Sequence, residues 1–167
     1  MSFRAQAGQH CDRNGYLGRP YARGTGMNAH TTTGFPYRVS RVMDATAARA
    51  WEAYTTAAEW QAWFGAEEGS AELDVRVGGR WKCVLLGPDG GRYPLGGTFL
   101  EVEEGRRLVL SMAVPGAPDE VMGVTFEEAG GGVEVTIDQT NATAEECARA
   151  REGSTMILAN LAAHVER

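Results

Sequence analysis

The chain is poor in the residue patterns that build metal centres and disulfide frameworks. Its three cysteines, Cys11, Cys83 and Cys147, are odd in number and far apart, whereas zinc sites and redox dithiols need paired spacings. All three are therefore expected to be reduced thiols. His10, His30 and His164 fall at no ligand spacing either, so no metal and no cofactor is expected. Long apolar runs are also missing. Residues 84–86 and 156–159 are far short of the roughly 20 residues that span a bilayer. Residues 1–26 lack the apolar core of a secretory signal, which makes the cytoplasm the expected compartment and excludes a membrane partner. Positive charge is scarce as well. The formal charge is −6 and no basic stripe follows Arg49, so nucleic acid is not an expected partner. The glycine clusters match no phosphate-binding loop, since none is followed by Lys-Ser/Thr, and Gly24-Thr25-Gly26 lacks both a third glycine and a preceding strand. None of Ser2, Ser40, Ser70, Ser111 or Ser154 occupies a Gly-x-Ser-x-Gly elbow. No catalytic residue is assigned.

What remains is a pattern of elements within 167 residues, the length of one domain. Residues 1–34 show neither helical nor strand periodicity and read as a flexible tail. Arg4, Arg13, Arg19 and Arg23 against Asp12 give the segment before Met27 a net charge of +3, leaving −9 for the rest. That reversal fits an interaction tail or a start placed upstream of a true first residue at Met27, and the second is preferred. The domain proper is then 35–167. Residues 37–43 read as a strand with Tyr37, Val39, Arg41 and Met43 on one face. Ala47, Ala50, Trp51 and Tyr54 recur at the spacing of one buried helical stripe. Thr56 to Glu59 fits a capping box before a second short helix carrying Trp60, Trp63 and Phe64. Strands broken by glycine turns follow at 72–76, 80–86, 93–102, 107–113, 120–127 and 133–139, an antiparallel meander. Thr143 to Glu146 forms another capping box, opening a helix that runs towards Val165 with Cys147, Ser154, Leu158, Leu161 and Val165 along one side. Gly153 in its middle reads as a close-packing contact within a continuous helix. The elements make an α+β domain.

A resemblance sharpens this reading. Arg41-Val42-Met43-Asp44-Ala45, Ala50-Trp51-Glu52-Ala53-Tyr54-Thr55, Trp60-Gln61-Ala62-Trp63-Phe64-Gly65 and the run from Leu73 to Trp81 carry it. Gly87-Pro88-Asp89-Gly90, the run from Gly97 to Val102 and Arg107-Leu108-Val109-Leu110 continue it. In that order they resemble the bacterial relatives of the activator of heat-shock-protein-90 ATPase, within the SRPBCC superfamily of START and birch-allergen-like domains. The resemblance covers about residues 37–165. It implies a helix-grip fold, in which a curved antiparallel sheet of six to seven strands surrounds the C-terminal helix, with two short helices after the first strand. It also implies a connection to stress response. Ser154 and Met112 stand where that family often has tryptophan, and both positions are expected to face a cavity.

Trp60, Trp63, Trp81, Phe99, Met112, Met122, Ser154 and Met156 are the candidate ligand-binding residues, because apolar pockets with few polar groups hold small hydrophobic molecules. Taken singly, each aromatic or Met is as readily an ordinary core residue. Arg41, Tyr93, Glu101, Asp138 and Asn160 are polar residues able to turn inward, and an inward acid would be needed for catalysis. The expected function is binding of a small hydrophobic or amphipathic molecule by a monomer or homodimer without catalysis. The alternatives are a cavity enzyme of the polyketide cyclase type and a regulator of a chaperone or another protein. The short segment before Phe35 is too small to be the separate chaperone-binding domain of the eukaryotic activator.

Overall fold

In a computed structural model, residues 34–113, 116 and 118–167 are described. The expected tail at 1–34 lies outside them but for Gly34. Ten elements follow in order: β1 (Phe35–Met43), α1 (Ala47–Thr55), α2 (Ala57–Phe64), β2 (Glu72–Leu73), β3 (Arg80–Leu86), β4 (Arg92–Glu103), β5 (Arg107–Met112), β6 (Glu120–Ala129), β7 (Gly132–Asn141) and α3 (Ala144–Val165). They form one seven-stranded antiparallel sheet in the order β1-β7-β6-β5-β4-β3-β2. The helix-grip architecture expected from the sequence is the one observed.

The two capping boxes came out differently. At α3 the Thr143 hydroxyl accepts from the Glu146 amide while the Glu146 carboxylate accepts from the Thr143 amide. At α2 the Thr56 side chain makes no cap bond. Glu59 turns instead to Arg49 and His164, binding α1, α2 and the end of α3 together. An ion pair with Arg49 and a hydrogen bond with His164 together outcompete a single bond to its own helix's first amide. Gly65, with φ of 80°, ends α2 in the left-handed conformation that glycine adopts without strain.

The long helix α3 is unbroken across Gly153. A methyl group at that glycine would meet nothing within 4 Å, which corrects the expectation of a close-packing contact there. Its buried side carries Cys147, Ser154, Leu158, Leu161 and Val165, the stripe anticipated from the periodicity, together with Ala162, and it packs chiefly along β1 with further contact to α2, β7 and α1. Cys83 is a free buried thiol. Cys147 is disulfide-bonded, against the expectation of three reduced cysteines, because an odd count with wide spacing carries no signature of pairing.

Strand alternation gives the sheet one apolar face. Val133, Val135 and Ile137 of β7, Val124 and Phe126 of β6 and Leu108 and Leu110 of β5 are all buried on it. Two features shape its far side. A register shift between Phe99 and Glu101 in β4 is a bulge that bends the sheet. Trp81 stands opposite Gly97, and across that glycine its indole N–H donates to the Ser111 carbonyl on the next strand at 2.9 Å.

Candidate functional site

The inner face of the sheet is apolar except near the end where β7 runs into α3. The strand phase that buries Val135 and Ile137 also turns Gln139 and Asn141 inward. Gln139 is paired with Tyr37 of β1 on one side and Met122 of β6 on the other. Tyr37 donates its hydroxyl hydrogen to Gln139 Oε1 at 2.9 Å and lies 2.7 Å from Ser154 Oγ on α3. Gln139 Nε2 donates to Glu120 Oε2 at 3.0 Å. Four side chains from β1, β6, β7 and α3 thus join in one hydrogen-bonded chain. Tyr37, Gln139 and Ser154 are buried, and Glu120 at the end is half-buried.

Burial raises the Tyr37 pKa, an effect that the Ser154 hydrogen bond opposes and the negative charges of Glu120 and Asp138 reinforce. The phenol is therefore held protonated and serves as a donor. Tyr54 behind it is raised more strongly, by burial and then by Tyr37. The Cys83 thiol is pushed up to about 11 by burial, which makes it a poor nucleophile.

Beside the polar chain, Met122 pairs with Leu110, and Met112 with Glu120. Both methionines are half-buried. Phe99 lies next to Leu110 in the adjoining strand, and Trp81 continues the surface on β3. Met112, Met122, Phe99 and Trp81 of the expected lining therefore share the inner face, and Ser154 faces it from α3. Trp60 and Trp63 serve packing. Trp60 stacks on Phe64 at 4.2 Å and meets Trp81 edge-on at 5.7 Å. Trp63 donates to the Ala53 carbonyl and touches Tyr54 at 5.2 Å. Met156 is 63 % exposed. It sits two residues from Ser154, about 200° round the helix, and so cannot line the space between α3 and the sheet.

None of the polar residues singled out as inward candidates converges on this face. Glu101 and Asp138 pair with Arg107 at 3.4 and 3.6 Å on the opposite side. The Tyr93 hydroxyl donates to Asp89 within an exposed turn, and Arg41 and Asn160 are exposed. A separate groove of about 370 Å³ runs along β1 and α3, lined by Arg38, Val39, Ser40, Arg41, Arg151, Thr155 and Leu158, and shares no residue with the expected lining. Tyr37, Gln139 and Glu120 are the site residues that sequence reasoning missed. The signal was present in β7, where a glutamine continues the inward phase of Val133, Val135 and Ile137. Among the described residues no group of three or more His, Cys, Asp and Glu side chains is placed to hold a metal ion, and no helix is long and apolar enough to cross a membrane.

Comparison with known proteins follows the fold. No curated protein matches the chain. Protein CV1439 from Chromobacterium violaceum is 27 % identical with a TM-score of 0.67, over 79 % of this chain and 98 % of that one. The AHSA1-like protein from Aeromonas hydrophila is 23 % identical with a TM-score of 0.68, over 79 % and 92 %. CalU16 from Micromonospora echinospora is 23 % identical with a TM-score of 0.64, over 79 % and 76 %. The family model described as "Activator of Hsp90 ATPase homolog 1-like protein" matches residues 44–166, from the end of β1 through α3, and the chain belongs to that family.

Proposed function

We propose that the inner face of the sheet binds a small amphipathic molecule and does not transform it. The apolar body of the ligand lies against Phe99, Leu110, Met112 and Met122, and its polar end reaches the chain formed by Glu120, Gln139, Tyr37 and Ser154. The observation that carries this reading is that chain itself. Four polar side chains are buried or half-buried on a face that is otherwise hydrophobic, next to two half-buried methionines whose flexible, polarizable side chains adapt to different partners. Ser154 and Met112 are small or flexible where the resemblance leads one to expect rings, and in this reading they make room for the ligand.

A neutral naphthalene dye tests the reading. It should bind the folded protein with enhanced emission, and Met112→Trp should weaken that binding while the thermal transition stays cooperative. Absence of binding to well-folded wild type refutes the proposal. So does a Met112→Trp variant that unfolds, because the added ring would then enter a filled core at the cost of overpacking. Native mass spectrometry of freshly purified protein identifies any retained molecule. Residence in the cytoplasm is testable separately. That compartment keeps most thiols reduced, so alkylation of protein taken directly from cells reads whether Cys147 is bonded there.

A further inference from the structure

The hydrogen-bonded chain in the proposed site has a direction. Tyr37 owns one hydroxyl hydrogen and gives it to Gln139, so the contact with Ser154 is made with the serine as donor. Gln139 donates in turn to Glu120. Each hydrogen in the chain therefore points towards the carboxylate. The groups left open at its two ends are acceptors, the Ser154 oxygen and the second oxygen of Glu120. Among the described residues Glu120 has no cationic partner.

Asn141 adds a third acceptor. It lies two residues beyond Gln139 on the same face of β7 and is 5 % exposed, and its Oδ1 is buried with no hydrogen-bond partner. A buried acceptor without a donor is costly, and in a native fold it marks a place where something is missing. Spare amide hydrogens remain on Gln139 and Asn141, but they carry no charge.

Several basic side chains of the domain are held elsewhere. Arg38, Arg41 and Arg151 line the groove along β1. Arg107 is on the opposite face with Thr125, Glu101 and Asp138. Arg49 and His164 are engaged with Glu59, and Lys82 with Glu72. The charges felt by Tyr37 within the polar chain are the negative ones of Glu120 and Asp138.

We infer that the polar end of the ligand is a hydrogen-bond donor, an ammonium or hydroxyl group, and that the site discriminates against carboxylates and phosphates attached to the same apolar body. This rests on the reading of the inner face as a ligand site. A carboxylate placed beside Glu120 would meet a second negative charge, whereas an ammonium or hydroxyl hydrogen would be accepted by the open carboxylate oxygen.

Competition separates the inference from the reading beneath it. Neutral N-phenyl-1-naphthylamine is bound first, then displaced by dodecylamine, dodecanol or dodecanoate, each below its micelle concentration, on wild type and on Glu120→Gln. The variant keeps an oxygen to accept from Gln139, and a thermal melt checks its fold. Dodecylamine should displace the dye from wild type at roughly tenfold to hundredfold lower concentration than dodecanoate, the range of a hydrogen bond to a charged group. In Glu120→Gln the ratio should collapse towards one, with dodecylamine losing most of its potency. Equal or reversed potency of amine and acid on wild type overturns the inference and leaves the ligand site standing. A preference that survives intact in Glu120→Gln also overturns it, because the overall charge of −6 would then be its source. If the neutral dye fails to bind folded wild type, the reading of the inner face falls and the inference with it.

Discussion

A single methyl group at Gly97 should cost this domain a large part of its stability. Gly97 is buried opposite Trp81, whose indole N–H crosses it to reach the Ser111 carbonyl at 2.9 Å. In Gly97→Ala the new methyl would overlap the Ser111 carbonyl oxygen and come within 2.7 Å of Trp81 Nε1. Neither neighbour can swing away, because one is backbone in a paired strand and the other belongs to a ring wedged against Trp60. Forcing strands β4 and β5 apart carries an overpacking cost of about 1 to 3 kcal/mol. Breaking the indole bond leaves a buried donor and acceptor unmet, for about 1 to 3 kcal/mol more. A loss of roughly 2 to 6 kcal/mol is expected, against a total stability of about 5 to 15 kcal/mol for a domain. Urea unfolding followed by tryptophan emission and far-ultraviolet circular dichroism reads it as a lower midpoint at unchanged slope. Trp81→Phe should cost less alone, and its effect should not add fully to that of Gly97→Ala, since the two changes share one contact. A loss below about 0.5 kcal/mol for Gly97→Ala would mean that the indole does not lie across that glycine.

Other substitutions probe different parts of the molecule. Leu161→Ala, at a fully buried position of α3, should lose about 2 to 5 kcal/mol in the same assay, and an unaffected midpoint would mean that α3 does not grip the sheet with this side. Gly153→Ala has open space around the new methyl and should stabilise the protein by about 0.5 to 1 kcal/mol; destabilisation would contradict the open surroundings of that turn. Glu59 has a carboxyl pKa held below its ordinary value of 4.5, first by its hydrogen bond with Arg49 and then by His164, against the effect of burial. Its stabilisation is complete above 4.5 and is lost as pH falls through the lowered value. The stability gap between wild type and Glu59→Gln should therefore shrink between neutral pH and about pH 3, and a flat gap would refute the ion pair.

The fold was largely legible because alternation and turn residues set most of the strands directly. Residues 80–86 were bounded correctly as β3, and the buried stripe of α3 was read but for Ala162. The strand expected at 72–76 is only Glu72–Leu73, since the chain turns at Asp74 to let the Arg76 amide donate to the Asp74 carbonyl. Local spacing does not reveal such a competing bond. The same holds at α2, where Thr56 and Glu59 fit a cap in sequence and Glu59 is drawn to residues 10 and 105 positions away. The site was half legible. Composition pointed to the apolar residues, and the resemblance pointed Met112 and Ser154 towards a cavity. The polar chain escaped notice because it joins residues up to 117 positions apart, and only the folded sheet makes them neighbours. Met156 was misplaced for the opposite reason, being judged by residue type rather than by its angle from Ser154.

The pairing of β1 with β7 has a consequence for biosynthesis. Phe35 to Met43 finds its partners at Asn141 to Val133, so the first strand has no place in the sheet until the last one exists. A ribosome making this chain releases β1, α1 and α2 long before it has translated β7. During that interval β2 to β6 can form hairpins with sequence neighbours, while the inner side of β1 waits with Tyr37 and Met43 uncovered. Closure of the sheet thus waits until β7 has been made, and it is the step that brings together contacts of great sequence separation, the kind that slows folding. Variants that weaken the β1 to β7 ladder should therefore lower the yield of soluble protein more than their effect on equilibrium stability implies.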